Sequence, residues 1–350
     1  MKRRSFLRLP AAAAAMAAGA TAEAEYDPSN TKIATRVDVH TVTDDNLLLL
    51  RQIGLRWVHA EFGSDGSAAA IRSAVERFAR YGLRIHSAMD STYRSPRIQL
   101  GRPGRDRDIE KFQQFLRDLG RAGVYSAKID FHPANTYTTA MIDSPRGYRV
   151  REFSLEDFRN RIEKQRYERI YTADDMWANY SYFIRAALPV AEKADVRLAL
   201  HPDDPPVPMM NGVAKLFIHY DAIKRAEDEI AGGSKYWGLT FCVGTWAEGG
   251  AKIGKDVFGM IQDFGARGKI FAVHFRNVSS PLPRFHETFQ DDGYLDMYEV
   301  MKAFRRVRSI ASLIPDHYPG LAGDQDHRLA DVYSLSCMRS LLHRANQEVE

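Results

Sequence analysis

Two histidines, a cysteine and an Asp-His pair stand out in the second half of the chain, each closing an apolar run. His201 follows Val196–Leu200, Cys242 follows Trp237–Phe241, His274 follows Ile270–Val273, and Asp316-His317 follows Ile310–Pro315. Successive members of the set His201, Cys242, His274 and Asp316 lie 41, 32 and 42 residues apart. Each interval suits one strand followed by one helix, so residues distant in sequence would meet on one rim. Two imidazoles, a thiolate and a carboxylate make a competent ligand set for a first-row divalent ion. Sulfur and imidazole favour Fe(II), Mn(II) or Zn(II) over magnesium. Taken singly, a buried cysteine is a small hydrophobe and a strand-end histidine a hydrogen-bonding group. Four in succession at the same place in a repeating pattern point to a metal site.

The elements that would position them follow from apolar periodicity. Strand candidates fall near Arg36–Val39, Leu55–Ala60, Leu83–Met89, Val124–Phe131, Val196–Leu200, Gly238–Val243, Ile270–Phe275 and Ser309–Ile314. Helical patterns are clearest at Ser67–Tyr81, Asp108–Arg121, Met176–Lys193, Val213–Ile230, Asp256–Phe264, Leu295–Val307 and Leu329–Ala345, with Ser67, Asp108 and Asp175 as capping residues at their starts. Strand-helix alternation repeated eight times predicts an α/β fold, a parallel sheet closed as a single (β/α)8 TIM barrel. The rhythm breaks between His132 and Asp175, a stretch rich in Arg, Tyr and Glu. It is read as an insertion after strand four, over the active-site face. Side chains two apart on a strand share a face, which groups Arg276 with His274, and Lys128 with Asp130 and His132. His219, His343 and His86 are read as packing or surface histidines, and His327 is left open between packing and site.

Composition narrows the class. With 350 residues, 45% hydrophobic and 27% charged, the chain is that of a soluble globular protein, neither disordered nor membrane-embedded. It opens Lys2-Arg3-Arg4-Ser5-Phe6-Leu7-Arg8, continues through an alanine-rich stretch from Leu9 to Ala20, and reaches Ala22-Glu23-Ala24. This order of basic, apolar and small-residue segments predicts a signal peptide over residues 1–24 and a barrel domain over 25–350. The Arg pair resembles a twin-arginine signal, which predicts a periplasmic or exported protein. Without residues 1–24 the formal net charge falls from +4 to +1, and no Lys/Arg stripe with interleaved aromatics remains, which argues against nucleic-acid binding. Beyond the export signal no membrane association is expected, and the chain is compatible with a homo-oligomer. Cys242 and Cys337 are the only cysteines, too few for a disulfide framework. If Cys242 binds a metal, loading before export of the folded chain would protect it. There is no G-x-S-x-G elbow, P-loop or G-x-G-x-x-G segment.

Several segments together resemble the metal-dependent mannonate dehydratases of the xylose-isomerase-like barrels. They are His201-Pro202-Asp203-Asp204-Pro205-Pro206, Leu239-Thr240-Phe241-Cys242-Val243-Gly244-Thr245, His274-Phe275-Arg276-Asn277-Val278, Phe285-His286-Glu287 with Asp291-Asp292-Gly293-Tyr294-Leu295-Asp296-Met297-Tyr298-Glu299-Val300, and Pro315-Asp316-His317. The helical stretch from Asp108 to Gly123 is similar too. The resemblance implies elimination of water from a sugar acid, D-mannonate, giving 2-keto-3-deoxygluconate. It implies that His201, Cys242, His274 and Asp316 hold Mn(II) or Fe(II) and that His317 is an acid/base. Arg276 is expected to pair with the substrate carboxylate through its fork of donors. Three segments depart from the family. Strand one reads Arg36-Val37-Asp38-Val39-His40 in place of a Trp-Tyr-Gly-Pro-like stretch. After strand four Asp130-Phe131-His132-Pro133-Ala134-Asn135-Thr136-Tyr137 stands in place of an Asn-Phe-Met-Pro pattern. The Gly-Tyr segment that supplies a family tyrosine is absent, and neither Tyr318 nor Tyr333 has its context. A sugar or sugar-acid isomerase or epimerase of the same barrel class therefore stays open, as does a non-catalytic sugar-acid-binding relative.

Overall fold

The computed structural model describes residues 27–349, so the expected signal segment lies outside the described residues. The first four strands are β1 (Lys32–Asp38), β2 (Trp57–Glu61), β3 (Arg84–Met89) and β4 (Ser126–Ile129). A hairpin of β5 (Ala140–Asp143) and β6 (Arg149–Ser154) follows, then β7 (Arg197–Leu200) and a short pair, β8 (Met209–Met210) and β9 (Val213–Ala214). The remainder are β10 (Trp237–Cys242), β11 (Ile270–His274), β12 (Asn277–Val278), β13 (Arg284–Thr288) and β14 (Ser312–Ile314). Eight of these close a parallel barrel in the order β1-β14-β11-β10-β7-β4-β3-β2. The expected (β/α)8 barrel is thus the observed one.

β1 begins four residues before its expected start. Lys32 hid it: a lysine inside a buried strand is tolerated because its ammonium donates to the carbonyls of Pro28 (2.6 Å), Asn30 (3.0 Å) and Ile310 (2.9 Å) at the barrel floor. The helices that pack outside the barrel are α1 (Asp44–Gln52), α2 (Ala68–Arg80), α3 (Arg105–Arg121), α4 (Ala173–Lys193), α5 (Tyr220–Arg225), α6 (Val243–Gly249), α7 (Val257–Ala266), α8 (Met297–Arg306) and α9 (Arg328–Glu348). Ser67 caps α2 as expected, accepting from the amide of Ala70 at 3.2 Å. Two other caps are corrected. Asp108 lies inside α3, which starts after Gly104 in a left-handed conformation (φ 87°), and its carboxylate takes the Ser95 hydroxyl instead. Asp175 is the third residue of α4, where it closes a capping box with Thr172, the true N-cap.

The helix expected over Val213–Ile230 is the largest departure. Val213–Ala214 pairs with Met209–Met210 as a two-stranded ribbon, and helix begins only at Tyr220 behind the His219 cap. The cause is tertiary. The Asp203 carboxylate accepts from the amides of Leu216 and Phe217, both at 2.8 Å, while the Lys215 ammonium reaches the carbonyls of Asp204 (2.7 Å) and Pro205 (2.8 Å). Those bonds hold the segment extended against the barrel mouth. A helix there would leave the buried Asp203 without its donors.

The stretch between β4 and α4 is an insertion over the mouth, as expected, but it does not work alone. β5 and β6 join β13 and β12 in a four-stranded antiparallel sheet ordered β12-β13-β6-β5. Two excursions, one after β4 and one after β11, therefore build a single cover. An apolar cluster of Phe153, Phe158, Val207, Met210, Val278 and Phe285 seats it on the barrel, and Arg284 grips Glu152 across the β13-β6 register with bonds of 2.8 and 3.0 Å. Among the described residues no helix is long and apolar enough to cross a membrane.

Candidate metal centre and active site

Barrel register places the ligand candidates in one layer. Cys242 and His274 are Cα partners across β10 and β11, and His274 pairs with Ile314 on β14, two residues before Asp316. His201 leaves β7 with its amide bonded to the Ile129 carbonyl of β4 at 2.8 Å. Asp316 sits in the left-handed region (φ 71°), unusual for a residue with a Cβ. That turn directs its carboxylate back over the strand ends.

One imidazole nitrogen of His201, the Cys242 sulfur and one imidazole nitrogen of His274 lie within 4.8 Å of one another. His201 Nδ1 stands 2.6 Å from the Pro202 carbonyl, which requires a proton on that nitrogen and leaves Nε2 bare, 3.0 Å from His274 Nδ1. Asp316 Oδ2 lies 3.1 Å from the same His274 nitrogen. All four residues are nearly inaccessible to solvent. Burial lowers His274 to about 3 and His201 well below its ordinary value, so both rings are neutral. Asp316 is held well below the carboxylate range: burial alone would raise it, and His274, His317 and Arg276 outweigh burial. Burial pushes the Cys242 thiol up to about 12, so a bound cation must displace its proton. Neutral imidazoles and a displaceable thiol within 4.8 Å of one another, with an ionised carboxylate 3.1 Å from one of the imidazoles, fit a borderline divalent ion.

The motif around Cys242 has a physical reading. Cys242 caps α6, its sulfur accepting from the Thr245 amide at 3.4 Å. Gly244 makes room for Arg276: a Cβ there would stand 2.5 Å from Arg276 Nη1. Arg276, 2% exposed, pairs with Asp204, with Glu248 at 2.7 Å and with Asp316 Oδ2 at 3.3 Å. This corrects the expected role of Arg276. Its guanidinium lies against three protein carboxyl groups and is not among the residues that line the cavity.

His317 does face it. Its Nδ1 stands 2.5 Å from Glu287 Oε1 on β13. Burial would raise the Glu287 carboxyl, but the adjacent His317 charge and hydrogen bond, with Arg276 and Arg151, bring it down to about 2. An ionised Glu287 can only accept, so His317 Nδ1 carries a proton toward it, and Nε2 lies on the other side of the ring, 3.7 Å from Asp316 Oδ2. An imidazole with one nitrogen clamped by a carboxylate and the other free to meet a ligand is a geometry suited to moving a proton.

The cavity above this centre has a volume of about 380 Å³, and His201, His274, Asp316 and His317 line it. Lys128, Asp130 and His132, grouped on one face by their spacing, line it together. The pairing of Glu287 with His317 escaped sequence reading, as did the cations Arg36, Arg94 and Arg151 on the wall. Glu287 and Arg151 arrive on the cover sheet, whose pairing of β6 with β13 joins residues more than a hundred positions apart, and no local pattern announces it. Arg36 was visible only as a departure from the family's strand one. Tyr318 and Tyr333 stay off the wall, bonded to Thr35 (3.0 Å) and Asp291 (2.7 Å) respectively, whereas Tyr137 lies on it. His219 caps α5, and His86 is buried against Ser312 at 3.1 Å, both as packing residues.

The sequence matches the family described as D-mannonate dehydratase (UxuA) over residues 136–341. A mannonate dehydratase from Thermotoga petrophila is 30% identical over 276 residues, 69% of this chain and 75% of that protein. One from Streptococcus pneumoniae is 30% identical over 257 residues, 65% of this chain and 68% of that protein. The crystal structure of mannonate dehydratase from Streptococcus suis serotype 2 superposes with a TM-score of 0.80 at 26% identity, covering 91% of this chain and 95% of that one. A xylose isomerase domain protein from Planctomyces limnophilus, at 8% identity and a TM-score of 0.59, shares the fold alone.

Proposed function

The chain belongs to the D-mannonate dehydratase family, and from that premise we propose that it eliminates water from D-mannonate, giving 2-keto-3-deoxy-D-gluconate. The observation that carries this reading is the clustering of His201, Cys242 and His274, with Asp316 against His274 and a His317–Glu287 pair, beside a cavity that His201, His274, Asp316 and His317 line. In the reaction the C2–H bond and the C3–O bond break, a C2=C3 double bond forms, and the enol product takes a proton at C3 to become the ketone. His201, Cys242, His274 and Asp316 would hold Mn(II) or Fe(II), whose Lewis acidity would favour the negative charge that builds up as the C2 proton leaves, by several kcal/mol.

The remaining work falls to the chain. His317 Nε2, on the ring of a cavity-lining residue, is the site for the transferred proton, and Glu287, bonded to Nδ1, holds the ring in place and steadies its charged form. Arg276 is a positioning residue: its contact with Asp316 sets the carboxylate that also faces His274 and His317. Residues 1–24 are read as a twin-arginine export signal, supported by Arg3-Arg4 ahead of an apolar alanine run. N-terminal sequencing of the mature protein from the periplasm tests that reading, with a chain that retains Met1 as the contrary outcome.

Mass spectrometry of the product formed in D₂O tests the chemistry. A dehydratase gives a product short of one water and carrying one solvent deuterium at C3. An isomerase or epimerase leaves the composition unchanged, and that result would replace the dehydratase reading with the barrel's other chemistry.

A further inference from the structure

Four long cationic side chains line the cavity above the candidate metal centre, and three of them are engaged. Arg94 holds Asp130 at 2.7 Å. Arg36 lies 3.7 Å from Glu61, 3.9 Å from the Asp316 carboxylate and 3.2 Å from the Asp316 carbonyl. Arg151 lies 3.8 Å from Glu287. Lys128 is the exception. It is 9% exposed, yet among the described residues its ammonium makes neither a hydrogen bond nor an ion pair. Asp130, the carboxylate whose charge acts on it most strongly, spends its Oδ2 on Arg94 and, at 3.0 Å, on the Tyr93 hydroxyl.

Strand pairing explains why the ammonium faces the cavity. Ala127 and Ile129, its neighbours on β4, pack outward into the core between barrel and helices, so Lys128 points into the barrel mouth, level with Ala199 of β7. Its charge reaches across that mouth: burial holds His59, His201 and His274 neutral, and the Lys128 charge adds to that effect at all three. Burial also presses Lys128 below its ordinary value, with Asp130 pulling against it. A buried cation without a partner is unfavourable unless something anionic completes it. The ligand proposed for this cavity carries one carboxylate.

We propose that Lys128 is the anchor for the substrate's carboxylate, the group that makes this cavity select a sugar acid over a neutral sugar. The inference deepens the dehydratase reading and rests on it for the substrate class. It also reassigns the task first given to Arg276, which does not line the cavity. Lys128 lies ahead of residues 136–341 that the family model matches, on the strand whose downstream sequence departs from the family pattern.

The test uses Lys128→Met and Lys128→Arg in the full metal-loaded enzyme, with calorimetric titration of chelator-treated protein by D-mannonate and by D-mannitol, its uncharged counterpart. Charge-assisted hydrogen bonds of this kind correspond to about 10–100-fold in affinity. Lys128→Met should raise KM for D-mannonate by that factor with kcat changed less than about threefold, and should reduce the preference for mannonate over mannitol to near unity. Lys128→Arg should keep most of the preference. Because methionine replaces an unpaired cation with an apolar chain of similar length, its Tm should equal or exceed that of the parent. An unchanged KM and an unchanged mannonate preference would overturn the anchor. So would a collapse of kcat at constant KM, which would make Lys128 a proton carrier, or a lowered Tm with equal loss of both ligands, which would make it structural. If the parent protein binds mannonate in a Lys128-dependent way but forms no dehydrated product, the dehydratase reading falls and the anchor stands. If it binds neither ligand, the anchor falls.

Discussion

The barrel mouth is built from two unlike halves. From β7 to β14 the polar groups interlock: His201 faces His274, His274 faces Asp316, Arg276 joins Asp316 to Asp204 and Glu248, and Glu287 clamps His317. From β1 to β4 three long cations, Arg36, Arg94 and Lys128, reach in from the wall, and among the described residues Lys128 has neither a hydrogen bond nor an ion pair. The interlocked half can hold a cation and move a proton with little rearrangement, which suits chemistry that requires fixed geometry. The other half can distinguish one ligand from another, because its charge is completed only when a ligand arrives. Chemistry and selectivity are thus carried by different strands of one barrel.

Removing a ligand from the interlocked half should have the largest effect. Cys242→Ser is expected to lose bound metal, measured by elemental analysis, and with it all turnover, while Lys128 and the arginines on the opposite side keep their fold. His317→Asn should retain metal at the parental level and lower kcat by about 10²–10⁴-fold; loss of metal in that variant would merge two roles that the comparison keeps apart. Next comes Gly244→Ala. The new methyl would meet the Arg276 guanidinium at 2.5 Å, and overpacking at such a site costs about 1–3 kcal/mol. Thermal unfolding should show that loss together with weaker metal retention, because Asp316 depends on Arg276. The smallest change belongs to the other half: Arg94→Ala removes a half-exposed partner of Asp130 and should alter stability by less than about 1 kcal/mol, with metal content untouched.

The two halves also differed in how far their residues could be read from the sequence. Ligand candidates at the ends of apolar runs declare themselves because strand period and spacing are local signals, and parallel register converts equal positions into one layer. The eight barrel strands were legible for the same reason. Capping fooled the reading at Asp108 and Asp175, where a carboxylate near a helix start belongs to the first turn or to a neighbouring side chain. The helix expected over Val213–Ile230 failed because its apolar residues serve a loop pinned by Asp203 and Lys215, a long-range cause with no local signature. Spacing groups Arg276 with His274, yet its guanidinium turns away from the cavity toward Asp204 and Glu248, which belong to other strands' connections. Glu287 and Arg151 required the cover sheet, whose two excursions meet only in three dimensions.

The most direct measurement is formation of 2-keto-3-deoxygluconate from D-mannonate by protein purified anaerobically and loaded with Mn(II) or Fe(II), with and without chelator. Product that appears with metal, stops when chelator is added and returns on reloading is the predicted result. Protein that binds one metal per chain at His201, Cys242, His274 and Asp316 yet forms no product would contradict the account, and would turn the same centre toward sugar isomerisation or ligand binding.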